Sequence, residues 1–493
     1  MRRVLAALIF ATLPAPLSAA DGGALACFAA GQKPAAVIGA CTAALGSGLN
    51  AETRVLALLA RADAYVAATD LAAARRDFDA VLRLAPNHTA ALMGRARINE
   101  AEGKAQAAET DLSAVIAAEP APEVQADAYT RRGALRLARG AADDAATDLE
   151  QAGRLLPRDV EIRRALAKAR IKGGQIKSAI LVLNGALGLA PADIDLLRMR
   201  GLAYAQARQF GPAINDFSAV LAAQPEDQPS LEGRGVAALQ NGIYGRALAD
   251  FTRLADLRPN DPHVVFLRAN AQLQSGHLKE SVDDYTLALK ALPGDEESLF
   301  GRATARMFQA DYAAAEADLG AILAKAPAAA QAIARRGHVR FLRQAYKDAA
   351  ADFAQALTLP DAPADLLLWQ FVAASRGGDT GAAKTLAAGI QKTPADSWPA
   401  TVARYFLGQI SGDDLIKAAR NSQGRLCEAY FHLGQAALIQ HDSAEAAKLF
   451  TAARSTGMSR YVEYAAALAE LARQEGVQEK WPSVFRPDNR PKP

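Results

Sequence analysis

The apolar positions of this chain recur with helical spacing, and the helical stretches recur in pairs. Segments such as Ala219-Val220-Leu221-Ala222 run apolar and then stop near a proline, whose ring and missing N–H end a helix. These prolines fall at 86, 120, 157, 191, 225, 259, 293 and 327, at intervals of 34 residues with one of 37. The three extra residues lie at Ala121-Pro122-Glu123. Twelve residues before each proline stands Ala74, Ala108, Ala145, Ala179, Ala213, Ala247, Ser281 or Ala315. Twenty-four before it stands Gly or Ala, from Ala62 through Gly235 to Ala303. Eight before it stands a large apolar side chain: Phe78, Leu112, Leu149, Leu183, Phe217, Phe251, Tyr285 or Leu319. Two small positions and one large one per period predict a pair of antiparallel helices in close approach, with the large side chain filling the gap.

A charged period overlies the apolar one. Arg61, Arg95, Arg132, Arg200, Arg234, Arg268, Arg302 and Arg336 each stand just before the small residue. Sixteen residues on stand Asp77, Asp111, Asp148, Asp216, Asp250, Asp284, Asp318 and Asp352. Both positions lie almost equally far from the inter-helix turn, which predicts that they face each other across the hairpin. Two units break the rule at both places at once, with Leu166 opposite Val182 and Leu433 opposite Leu449. The absence of mixed pairs points to contact. The planar Arg fork suits a carboxylate bonded in two places, so the ladder is read as structural ion pairing in preference to a track for a charged ligand.

Composition narrows the function. Hydrophobic residues make up 51% and aromatics only 6%, so the core must be built largely from small side chains in close contact. The balance of 56 basic against 53 acidic residues removes the electrostatic argument for a nucleic-acid partner. No run of Lys and Arg exceeds two, which argues against a basic membrane-binding cluster. Residues 1–20 read as a secretory signal: Arg2 and Arg3, the apolar stretch Val4 to Leu13, then Ser18-Ala19-Ala20, with cleavage expected after Ala20. No later stretch approaches the roughly 18 continuous apolar residues of a membrane helix. The mature protein is therefore expected in the periplasm, without a transmembrane segment.

The expected export bears on the cysteines, Cys27, Cys41 and Cys427. Gly31 to Pro34 supplies a turn between the first two, so a helical hairpin over 21–50 can close a disulfide there in an oxidising compartment. Two unrelated buried thiols are a second reading. Lipidation of Cys27 is a third, carried by Ala24-Leu25-Ala26 and exclusive of the disulfide.

The 34-residue unit resembles the tetratricopeptide repeat, over nine units spanning 51–361. That resemblance implies an all-α, right-handed α-solenoid of stacked helix hairpins. The period then loosens. Residues 362–395 read as a degenerate unit, and 396–475 hold Trp398-Pro399, Tyr405-Phe406-Leu407-Gly408 and Glu428-Ala429-Tyr430-Phe431-His432-Leu433-Gly434 before a capping helix from Tyr461. Residues 476–493 carry four prolines and read as a disordered tail. The 396–475 stretch resembles the C-terminal part of NlpI-type periplasmic tetratricopeptide proteins. This resemblance implies an adaptor that brings a C-terminal-processing protease to peptidoglycan hydrolases, and a homodimer.

No catalytic constellation, metal spacing or cofactor motif stands out, and an enzyme is not expected. Cys427 and His432 are the nearest approach to a nucleophile pair, but five residues apart on one helix they point different ways. Proteins or extended peptides are the expected partners. The fifth and twelfth positions of each unit share one helical face and give a candidate groove of Phe266, Leu273, Phe300, Met307 and Phe341. A protein-binding scaffold is the leading reading. The alternatives are an interaction subunit of a secretion or envelope-assembly complex, and an enzyme with an unrecognised site.

Overall fold

A computed structural model describes residues 26–29, 31–360 and 362–476. The signal expected over 1–20 and the tail expected after Gly476 lie outside the described residues. Among the described residues every regular element is an α-helix. The chain divides into two compact units between Gln209 and Phe210.

The first unit opens with α1 (Pro34–Leu45). Four hairpins follow: α2–α3 (Ala51–Ala67, Leu71–Leu84), α4–α5 (Thr89–Ala101, Ala105–Ala117), α6–α7 (Pro122–Ala138, Ala142–Leu155) and α8–α9 (Val160–Lys172, Ile176–Leu189). It ends with α10 (Ile194–Gln206). The second unit begins with α11 (Phe210–Ala223). Its regular hairpins are α12–α13 (Gln228–Gln240, Tyr244–Leu257), α14–α15 (Pro262–Ser275, Leu278–Ala291), α16–α17 (Glu296–Phe308, Tyr312–Lys325) and α18–α19 (Ala330–Leu342, Tyr346–Leu357). The remainder comprises α20–α21 (Leu366–Arg376, Ala382–Ile390), α22–α23 (Trp398–Phe406, Gly412–Ala419), α24–α25 (Gln423–Ile439, Ser443–Ser455) and α26 (Val462–Gln474).

Within each unit the helices pack on their neighbours in chain order, which makes an α-solenoid of hairpins. The repeat chemistry explains where each helix begins. Two residues past the proline, Asp159, Asp193, Asp227, Asp261 and Asp295 cap the next first helix, each carboxylate accepting a backbone N–H at 2.9–3.1 Å. A carboxylate there satisfies an otherwise orphaned donor and complements the helix dipole. The small residue opposite the large one sets the hairpin spacing. A Cβ on Gly235 would lie 2.6 Å from the Phe251 ring, and one on Gly434 2.5 Å from Phe450. Both rings are fully buried.

The C-terminal region packs differently. Helices α22 and α23 are only 9 and 8 residues long, and α24 reaches past them to pack on α20. Helix α26 ends the stack on α25 and also packs on α24 and α18. It therefore does more than cap: Tyr464 to Leu471 are eight consecutive buried residues, so no face of that stretch meets water. One apolar cluster runs from Leu278 to Leu471, with Trp369 among its largest fully buried side chains.

Candidate interaction surface

The ladder residues meet as bidentate pairs. Arg61 bonds Asp77 through Nε and Nη2, both at 2.8 Å. Arg234 bonds Asp250 at 2.9 and 2.6 Å, Arg268 bonds Asp284 at 2.6 and 2.8 Å, and Arg302 bonds Asp318 at 3.0 and 2.6 Å. Arg336 bonds Asp352 at 3.1 and 2.7 Å, and Arg95–Asp111 and Arg132–Asp148 repeat the geometry. Arg200 belongs to the first unit and Asp216 to the second. Within its own unit Arg200 donates to Asn184 at 2.9 Å. Each of these aspartates is buried while its arginine keeps one edge in water. The bond to Asp148 raises the Arg132 guanidinium above its already high value, against the opposing effect of burial.

The same arginines also link successive hairpins, a connection not read from the sequence. The free Nη1 reaches a short polar side chain on the preceding hairpin: Asp79 from Arg95, Ser218 from Arg234 and Thr286 from Arg302, at 2.9–3.1 Å. Arg132 reaches Ser113 and Arg61 reaches Thr42 in the same way. The signal was available, because counting sixteen residues back from Arg95, Arg200, Arg234 and Arg302 lands on Asp, Asn, Ser and Thr. A second arginine one turn further on joins several pairs. Arg136, Arg306 and Arg340 bond Asp148, Asp318 and Asp352 at 2.9, 2.7 and 2.9 Å. The apolar unit compensates by the same route, since Arg170, one turn past Leu166, bonds Glu150 on the preceding hairpin at 2.5 Å.

The five groove residues separate into two groups. Phe266 is half-buried, with its ring 6.1 Å from Tyr285 in an edge-to-face contact. Leu273 and Phe300 are also half-buried, and the Arg335 guanidinium sits 5.4 Å over the Phe300 ring. Met307 and Phe341 are core residues, 2% and 1% exposed, and cannot form part of an open groove. Phe341 packs edge-on against Tyr346, Trp369 and Phe431. The register puts both residues on the first-helix face, but both belong to the apolar core cluster, and Phe341 is met there by Trp369 of α20 and Phe431 of α24. The open part runs along α12, α14 and α16, where Val236 adds a 36% exposed side chain.

Beneath α26 the chemistry turns polar. Trp369 Nε1 donates to Glu463 at 3.1 Å, Trp398 Nε1 donates to Glu428 at 2.6 Å, and Arg376 bonds Glu470 at 3.0 Å and Gln435 at 2.7 Å. Arg473 bonds the Leu342 carbonyl. Burial, reinforced by Glu428, pushes the Glu463 carboxyl up to about 8. Burial pushes the Cys427 thiol up to about 12 and the His432 imidazole down to about 3. That is the reverse of an activated nucleophile and its base. Among the described residues no group of three or more His, Cys, Asp or Glu is placed to hold a metal ion, and no helix is long and apolar enough to cross a membrane. Cys27 and Cys41 are joined, sulfur to sulfur at 2.03 Å, and both are buried against α2. Bonded in this way, Cys27 has no free sulfur to carry a lipid.

A family model described as Tetratricopeptide repeat matches residues 59–122, 198–262 and 244–296, and a second model of that description matches 136–203. No curated protein matches the sequence. Among solved structures the chain is similar to a tetratricopeptide repeat protein from Parabacteroides merdae, at 20% identity over 50% of this chain and 97% of that one, with a TM-score of 0.41. It is similar to MamA from Desulfovibrio magneticus at 19% identity over 34% of this chain and 96% of that one, with a TM-score of 0.33. It is also similar to YrrB, described as having an unusual peptide-binding site, at 16% identity over 39% and 97%, with a TM-score of 0.36. The repeat models coincide with hairpins whose small, large and charged positions all follow the 34-residue period. This chain is a tetratricopeptide repeat protein, a scaffold for protein–protein interaction.

Proposed function

We propose that the protein is an exported, non-catalytic scaffold that holds protein partners in the bacterial cell envelope as an adaptor for a C-terminal-processing protease acting on peptidoglycan hydrolases. The observation that carries a docking role is the open first-helix face of α12, α14 and α16. There Phe266, Leu273 and Phe300 remain half-exposed, whereas Phe217, Phe251, Phe308, Phe341 and Phe353 of the same unit are in the core. Apolar rings beside polar neighbours such as Asn270 and Arg335 suit an extended peptide, which gains affinity from a few buried anchors. The leader-like residues 1–20 and the disulfide between Cys27 and Cys41 support an oxidising, extracytoplasmic location. The protease adaptor role is supported by the resemblance of residues 396–475 to NlpI-type proteins.

The test uses the full chain as bait against a purified C-terminal-processing protease, with Phe300→Ala and Phe266→Ala beside the parent. Binding by the parent and loss of at least about ten-fold in affinity in either variant, at unchanged circular dichroism, supports the proposal. Failure of the parent to bind overturns the protease assignment. Binding unaltered in both variants overturns the docking face. N-terminal sequencing of protein recovered from the envelope should begin at Asp21; a start at Met1 contradicts export.

A further inference from the structure

Helix α26 covers the first-helix face where α18, α20 and α24 converge, and its seat is unlike the core of the regular repeats. Between the paired helices of a repeat each buried carboxylate is answered by an arginine of its own hairpin, and the rest of the filling is apolar, as with Phe217, Phe251 and Leu319, all fully buried. Under α26 the apolar burial of Tyr464, Leu468 and Leu471 is joined by polar bonds to residues far away in sequence, side chain to side chain or to a carbonyl: Glu463 to Trp369, Glu470 to Arg376, Arg473 to Leu342. On α18 and α24, the helices that carry this seat, three deeply buried polar atoms find no hydrogen-bond partner, namely Gln435 Nε2, His338 Nδ1 and His432 Nδ1. Such groups subtract from the free energy of closure where apolar atoms would add to it. Every polar contact that α26 makes here is one that water can replace when the helix leaves. The connector from α25 is short and turns at Gly457, whose φ of +67° gives the chain a hinge-like corner.

We propose that α26 is a latch, a helix that seats on α18, α20 and α24 in the closed state and leaves that seat as a unit. Departure uncovers the wall around Trp369 and Phe341 and extends the open face that begins at Phe266 and Phe300. This proposal goes beyond the adaptor reading and does not depend on which partner binds.

Glu463 supplies the trigger. It sits in the first turn of α26 and faces Asp365 and Trp369 from α20, Cys427 and Glu428 from α24 and Arg335 from α18, while α25 contributes Arg454 beside neighbouring Tyr464. Among the described residues no Lys or Arg is bonded to Glu463, Glu428 or Asp365, in contrast with the aspartates of the ladder. Arg335 has its guanidinium over Phe300 instead, and burial lowers it to about 10. The closed seat therefore holds Glu463 in its neutral form and resists its ionisation. A carboxyl whose folded value is raised favours the closed state at low pH. That preference fades as pH rises from the ordinary carboxylate range to about 8.

The experiment is hydrogen exchange of the full chain at pH 6 and pH 9, corrected for intrinsic rates, comparing peptides from α26 with peptides from α14–α15. Opening of α26 should rise by about ten-fold or more between the two pH values while α14–α15 stay unchanged. Glu463→Gln should remove the rise with the fold intact by circular dichroism. Trp369→Phe, which keeps a ring and deletes only the N–H, should speed α26 opening about five-fold at pH 6. Protection of α26 equal to that of α14–α15 at both pH values overturns the latch. A pH-dependent rise that persists in Glu463→Gln overturns Glu463 as its trigger.

Discussion

The repeats from α12 to α19 and the region from α20 to α26 bury charge in opposite ways. In the repeats each buried carboxylate is matched within its own hairpin. Asp250 is only 3% exposed, yet it receives two N–H bonds from Arg234, and the third bond of that arginine ties the hairpin to the one before. Charge is balanced locally, and the solution can be copied every 34 residues. In the C-terminal region Glu463 and Glu428 are met by indole N–H groups, and burial pushes both carboxyls up. That solution exists once, depends on helices far apart in sequence, and is sensitive to pH. A repeat can be extended because its polar groups are self-sufficient, and an array can be ended by elements whose polar groups are not.

The contrast can be broken most forcefully at Trp369. Its ring joins His338, Phe341, Phe353 and Phe431 in one cluster. Trp369→Ala should cost about 3–5 kcal/mol. Denaturant unfolding followed by proteolysis should show residues from α20 to α26 lost before α12–α17, and simultaneous loss would argue that the two regions are not distinct. The ladder is next. Arg234→Ala should destabilise by about 3 kcal/mol because it strands Asp250, whereas Arg234→Leu with Asp250→Val should cost much less. Equal midpoints for the two variants in urea would show that the pair is not energetically coupled.

A smaller effect is expected from pH. With the Glu463 carboxyl held near 8, the C-terminal region should be most stable in mild acid and weaken as pH rises from about 5 towards 8, then level off. Thermal unfolding of Glu463→Gln should lose that slope, and a slope retained in full would assign it elsewhere. The smallest effect tests packing alone. A Cβ at Gly320, inside α17, meets nothing within 4 Å, so Gly320→Ala should stabilise by about 0.5–1 kcal/mol. A Cβ at Gly434 collides with Phe450, so Gly434→Ala should destabilise by about 1–3 kcal/mol.

Legibility in the sequence followed the same division. The prolines, the small and large positions and the Arg–Asp spacing could be read because each repeats, and a repeated coincidence is a contact. The link from Arg234 to Ser218 repeats too, sixteen residues back from the arginine. Met307 and Phe341 lie in the core and not in a groove, because register gives the face of a helix and cannot show what packs against that face. Phe341 is covered by Trp369 and Phe431, from helices further along the chain that no period announces. Helix α26 was legible as a helix but not as a buried one. Glu463 and Glu470 stand seven apart on one helix, while their partners Trp369 and Arg376 are each 94 residues away with no period to reveal them. The open face at Phe266 and Phe300 was legible, and nothing in the chain names its occupant.

The claim on which the rest turns is that the first-helix face of the second unit is open at Phe266 and closed at Met307 and Phe341. Hydroxyl-radical footprinting of the full chain, read residue by residue by mass spectrometry, tests it directly. Ready modification of Phe266 and strong protection of Met307, Phe341 and Trp369 are expected. Modification of Met307 and Phe341 as fast as Phe266 would contradict it.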